Sequence, residues 1–159
     1  MAQIGSILIA EDDDNDAFLL HRALTEQQVG APISFVQDGE QVLEYLRGQP
    51  PYDNRMRYPM PVLLILDAKM ARMSGIEVLE WLQAEPTRRG CPVVVLSGSA
   101  PPATVSRALA LGADCFLVKP VHTGHWKELA KRLAEFFRKS PTFEEFPITL
   151  IPSLKNQAN

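Results

Sequence analysis

Cysteine is scarce, with Cys91 and Cys115 alone in a chain of 159 residues. Two are too few for a disulfide framework, and neither belongs to a Cys-x-x-Cys pair. Cys91 precedes Pro-Val-Val-Val-Leu and Cys115 precedes Phe-Leu-Val, so both are expected to be buried thiols in a reducing cytosol. Long apolar runs are also missing. None approaches the roughly 18 residues of a membrane span, and the opening Met-Ala-Gln-Ile-Gly-Ser lacks the basic stretch of a secretory signal. The expected location is cytoplasmic, with no membrane partner. Nor is there an excess of positive charge. Sixteen Lys and Arg face 19 Asp and Glu, a formal net charge of −3, which lacks the electrostatic footprint of a nucleic-acid binder. Repeats and low-complexity segments are absent as well. What remains, 46% hydrophobic and 22% charged residues, has the balance of a globular domain. The length suits a single one at about 150 residues per domain.

Short apolar runs alternate with helical patterns along the chain. Ile7–Ala10, Ile33–Val36, Val62–Leu66, Pro92–Leu96 and Cys115–Val118 predict five strands. Between them, Leu20 and Leu24, Val42 and Leu46, Ile76, Leu79 and Leu82, and Val105 and Leu109 recur at helical spacing. A last helix carries Trp126, Leu129, Leu133, Phe136 and Phe137 and stops at Pro141. The stretch 48–61 holds Pro50, Pro51, Pro59 and Pro61 without periodicity, which predicts a loop insertion. Continuous apolar strands separated by helices imply a parallel sheet covered on both faces. The predicted fold is therefore α/β, doubly wound, with strand order 2-1-3-4-5 and helices on both sides.

Open sheets of this kind bind ligands at the carboxyl ends of their strands. Glu11-Asp12-Asp13-Asp14 follows the first strand, Asp67 ends the third, Ser97 follows the fourth and Lys119 the fifth. With the first and third strands adjacent, Glu11, Asp12 and Asp67 are expected within a few ångströms of one another. Carboxylates so placed repel one another unless a cation neutralises them, and Mg²⁺ suits an all-oxygen site. A phosphoryl group at Asp67 would meet the metal on one side, with Ser97 and Lys119 on the other. Those are the parts that phosphoryl transfer to an oxygen nucleophile needs.

Four stretches carry a family resemblance: Ile-Leu-Ile-Ala-Glu-Asp-Asp (7–13), Leu-Leu-Ile-Leu-Asp (63–67) with Met73-Ser74-Gly75, Leu96-Ser97-Gly98, and Val118-Lys119-Pro120. Together, and with Ser97 30 residues after Asp67 and Lys119 22 after Ser97, they resemble a response-regulator receiver domain. The similarity spans about Ser6 to Lys139. It implies a flavodoxin-like (βα)5 fold over residues 1–139, followed by a C-terminal extension, 140–159. By resemblance, Asp67 is the phosphoacceptor, and Asp12 and Asp67 bind Mg²⁺ directly. Glu11 would act through metal-bound water, and the backbone carbonyl of Lys69 would complete the ligands. Ser97 would contact the phosphoryl group and Lys119 would pair with it. Ser97 and Phe116 would form the switch, and the Lys119–Pro120 bond would be cis, a geometry that X-Pro bonds permit at modest cost. Ala71 stands where the family usually has proline, which is expected to loosen the loop. Lys69 adds a cation expected to slow or redirect hydrolysis.

Other residues invite plainer readings. Asp13 and Asp14 suit a solvated helix N-terminus. His21, His122 and His125 form no metal-ligand pattern, and Trp126, Leu129 and Leu133 suit the core. The tail, with Phe143, Phe146 and Ile148–Ile151, is expected to pack on the domain or to form an interaction surface. A haloacid-dehalogenase-type phosphatase would need a second Asp two residues after Asp67, where Lys69 stands. The resemblance thus implies a single-domain response regulator rather than an enzyme, phosphorylated on Asp67 by a histidine kinase or phosphotransfer protein. With no output domain following, it would signal to a downstream protein by contact. It is most similar to regulators of phytochrome-type kinases, many of which dimerise through the fourth helix, fifth strand and fifth helix. A receiver-like module that binds its partner without phosphate is the alternative.

Overall fold

The computed structural model describes residues 5–85 and 91–139, without the side chains of Phe136 and Lys139. Ten elements alternate: β1 (Ser6–Ala10), α1 (Asp14–Glu26), β2 (Ile33–Val36), α2 (Gly39–Arg47), β3 (Pro61–Asp67), α3 (Gly75–Ala84), β4 (Val93–Ser97), α4 (Pro102–Ala110), β5 (Cys115–Val118) and α5 (His125–Lys139). All pairings are parallel, in the order β2-β1-β3-β4-β5. This is the doubly wound sheet predicted from the sequence.

Side-chain alternation along the strands feeds two cores. Leu8, Leu64, Leu66, Val93, Val95 and Phe116 point toward α2, α3 and α4, whereas Ile7, Ile9, Leu63, Ile65, Val94 and Leu117 point toward α1 and α5. Trp126, Leu129 and Leu133 are buried in the second core, with Phe137 half-buried against it. Cys115 is buried and Cys91 only half-buried, because Cys91 precedes the strand rather than lying within it.

Local chemistry sets the helix starts. Asp13 caps α1 by accepting from the Asp16 amide, and Asp38 caps α2 by accepting from Gln41. Ser74 and Glu77 form a reciprocal capping box on α3. Pro102 begins α4, where its missing N–H costs nothing. Gly48 ends α2 at φ 67°, the left-handed conformation that glycine adopts without penalty.

The insertion after α2 is packed rather than loose. Tyr52 and Tyr58 meet each other edge-on at 5.3 Å, and lie 5.1 and 6.0 Å from the ring of Tyr45. Arg55 donates to the carbonyls of Leu46 and Tyr58, satisfying the exposed end of α2. The hydroxyl of fully buried Tyr45 donates to the Pro59 carbonyl at 2.9 Å and sits 3.3 Å from Ser6 Oγ, joining insertion, helix and β1. Tyr45→Phe leaves the Pro59 carbonyl one bond, from Ser6. It is expected to cost about 1 kcal/mol, read as a fall of roughly 2–4 °C in Tm.

Candidate phosphoacceptor and cation site

β1 and β3 are adjacent and lead to opposite sides of the sheet order, which makes their carboxyl ends a topological switch point. Pairing of Ala10 with Leu66, and of Asp67 with Leu96, brings the first-strand carboxylates to Asp67. The Ser97–Val118 pair places Lys119 immediately past the end of β4, where its amide donates to the Ser97 carbonyl at 2.7 Å. Glu11, Asp12 and Asp67 offer carboxylate oxygens that all lie within 4.8 Å of one another. Glu11 and Asp67 are buried and Asp12 is exposed. Ser97 is buried, and Phe116 lies wholly within the core on the α2–α3–α4 side.

The ammonium of Lys119 closes the site. It lies 2.7 Å from Glu11 Oε2, 2.8 Å from Asp67 Oδ2 and 2.9 Å from Asp16 Oδ2. Glu11 Oε1 accepts from the Asp13 amide, and Asp67 Oδ1 from the Lys69 amide. Burial pushes the Glu11 carboxyl up to about 7, against the opposing pull of Lys119 and with the nearby Asp67 charge adding to the rise. Lys119 moves the other way from a typical buried lysine: burial alone would lower it, but its carboxylate partners hold it above the ordinary ammonium range. A buried glutamate that resists ionisation beside two more carboxylates is a set of hard oxygen donors short of positive charge. That donor set fits a divalent cation of the Mg²⁺ or Mn²⁺ type.

Of the strand-end residues singled out from the sequence, Glu11, Asp12, Asp67 and Lys119 come together. Asp16 joins them and was not anticipated. It lies in the first turn of α1, directly after the acidic strand end. His21, His122 and His125 are exposed, and among the described residues the acidic trio is the cluster able to hold a metal. One expectation fails. The cis X-Pro bond among the described residues lies between Pro50 and Pro51, whereas Lys119–Pro120 is trans. The trans form is the favoured one for X-Pro, and with it the Lys119 side chain already reaches all three carboxylates. The loop after Asp67 also holds without its proline. Arg72 turns it at φ 63°, the Gly39 amide donates to the Met73 carbonyl at 2.9 Å, and the Arg72 guanidinium lies 3.9 Å from Asp38.

The response regulator receiver domain model matches residues 7–131. The chain belongs to the response regulator receiver family. It is 28% identical to the phosphorylated cyanobacterial phytochrome response regulator RcpA, covering 88% of this chain and 98% of that one at a TM-score of 0.79. The Mn²⁺-bound form of response regulator Rcp1 superimposes at a TM-score of 0.78, with 26% identity over 87% of this chain and 97% of that one. Response regulator Rcp1 of Synechocystis sp. is likewise 26% identical over 136 residues, 86% of this chain and 90% of the relative. The chain is thus a receiver domain of two-component signalling, and among the solved structures similar to it are phytochrome and bacteriophytochrome response regulators. No described helix is long and apolar enough to cross a membrane. The extension 140–159 lies outside the described residues.

Proposed function

We propose that this receiver domain is a phosphoacceptor switch, taking a phosphoryl group on Asp67 from a histidine kinase or phosphotransfer protein. The observation that carries the reading is the placement of Asp67. It sits at the switch point, with carboxylate oxygens of Glu11 and Asp12 within 4.8 Å and the Lys119 ammonium 2.8 Å away, between Asp67 and Glu11. An Asp67 carboxylate oxygen attacks phosphorus, the bond to the donor nitrogen breaks, and the electron pair leaves with the imidazole. Asp12, Asp67 and the Lys69 carbonyl would hold Mg²⁺, with Glu11 behind a water. The cation supplies charge compensation for the phosphoryl oxygens. Lys119 adds its positive charge beside Asp67, and the Ser97 hydroxyl donates to a phosphoryl oxygen.

The readout follows from burial. Ser97 and Phe116 are both buried on the neighbouring strands β4 and β5, and we take them to move together when Ser97 is drawn toward the phosphoryl group. That biases the α4-β5-α5 face, which we take as the surface for a downstream protein or a second copy of the chain. Any turnover is confined to the domain's own phosphoryl group. Several similar solved structures are phytochrome or bacteriophytochrome response regulators, which supports a kinase of that class as donor.

The test is intact-protein mass spectrometry after incubation with acetyl phosphate. A single phosphoryl adduct is expected with Mg²⁺, with none after chelation and none for Asp67→Asn. A folded wild type that takes no phosphoryl group from acetyl phosphate or from a kinase at saturating Mg²⁺ would instead make it a binding module independent of phosphate.

A further inference from the structure

The Lys119 ammonium has three N–H donors and three carboxylate neighbours: Glu11, Asp67 and Asp16. Two of these belong to the trio that fits a cation, and Asp16 does not. A divalent cation and this ammonium therefore compete for the oxygens of Glu11 and Asp67. Lys119 keeps only 11% of its side chain accessible. Losing both partners at once would leave a largely buried charge unpaired, which strongly opposes cation entry.

Asp16 removes that obstacle. It projects from the first turn of α1, is more accessible than the trio's two buried members at 28%, and lies 2.9 Å from Lys119 Nζ. Its amide is held by Asp13 Oδ1 at 2.9 Å, so the carboxylate is presented from a capped helix rather than a free loop. We propose that Asp16 is a positioning residue that retains the Lys119 ammonium while Glu11 and Asp67 turn to the cation. Cation entry then shifts Lys119 toward the pocket rim instead of orphaning it, and leaves it poised beside an incoming phosphoryl group. The proposal rests on the cation-site reading above and adds a residue to it.

Removing Asp16 also removes one negative charge, which by itself would weaken cation binding, so the test separates contact from charge. Mg²⁺ affinity is measured by calorimetry on the full chain for wild type, Asp16→Asn, Asp16→Glu, and Asp16→Asn combined with Asn15→Asp. The last restores the net charge one residue away, at an exposed position. Asp16→Asn is expected to weaken Mg²⁺ about tenfold, as loss of a supporting partner at a metal site typically does. Asn15→Asp does not restore the affinity, whereas Asp16→Glu restores most of it. Unchanged affinity in Asp16→Asn, or full recovery by Asn15→Asp, overturns the proposal. A wild type that binds no Mg²⁺ overturns the cation-site reading and the role of Asp16 with it.

Discussion

Gly75→Ala is expected to destabilise the domain by about 2–3 kcal/mol, the range of a severe steric insertion, and to weaken cation binding at the same time. Glycine is required here for space, not for backbone conformation. A Cβ at this position would sit 2.2 Å from the Asp67 carbonyl oxygen, 3.0 Å from its carbonyl carbon and 3.2 Å from Ala68 Cα. All three are backbone atoms and cannot rotate away. Either α3 moves off the sheet or the end of β3 yields. Val78, Leu79 and Leu82 fix α3 in the core and the Ser74–Glu77 box fixes its start, so the strain falls on Asp67. Gly98→Ala is the control, because a Cβ there meets nothing within 4 Å. Urea unfolding followed by Mg²⁺ titration of both variants tests the idea. A Gly75→Ala protein as stable as the Gly98→Ala one would show that the close approach of helix and strand is not needed.

The contrast between Gly75 and Asp67 shows what the sequence makes legible. Continuous runs such as Leu63–Leu66 and Val93–Leu96 mark buried strands because both faces of a parallel sheet are covered. Four of the five runs end in polar residues at the carboxyl edge of the sheet, so Glu11, Asp12, Asp67, Ser97 and Lys119 are legible as candidates from the sequence. The need for glycine at position 75 could not be derived from spacing. It depends on how closely α3 crosses the end of β3. The same holds for the insertion: four prolines hid an aromatic cluster whose members touch only once Tyr45 is placed on α2. Asp16 is not legible as part of the site, because an acid in a first helical turn is already explained by the helix dipole. Its second partner, Lys119, lies 103 residues away.

Lys119→Met should cost roughly 3 kcal/mol in metal-free buffer near pH 8, the scale of breaking a buried ion pair by removing one partner. Methionine keeps much of the stem's volume, so the loss is electrostatic. With the ammonium gone, Glu11 and Asp67 face each other as buried carboxylates, with side chains only 3% and 7% accessible. The sign of the pH dependence follows from Glu11. Burial raises its carboxyl from 4.5 to about 7 in the folded chain. The folded state thus holds its proton more tightly than the unfolded one, and stability that is fully present below about pH 4.5 is lost as pH rises through about 7. Lys119 opposes that rise, so its removal deepens the loss at alkaline pH; near pH 5, where Glu11 is protonated, the cost is smaller and comes from the lost pairs to Asp67 and Asp16. Saturating Mg²⁺ is expected to restore the variant at pH 8, since a bound cation supplies the missing positive charge and stabilises by mass action. Thermal melts of wild type and variant at both pH values, with and without Mg²⁺, distinguish this from lost packing. Packing loss would lower Tm equally at pH 5 and pH 8 and would be indifferent to the metal, whereas a charge effect is larger at pH 8 and is relieved by the metal.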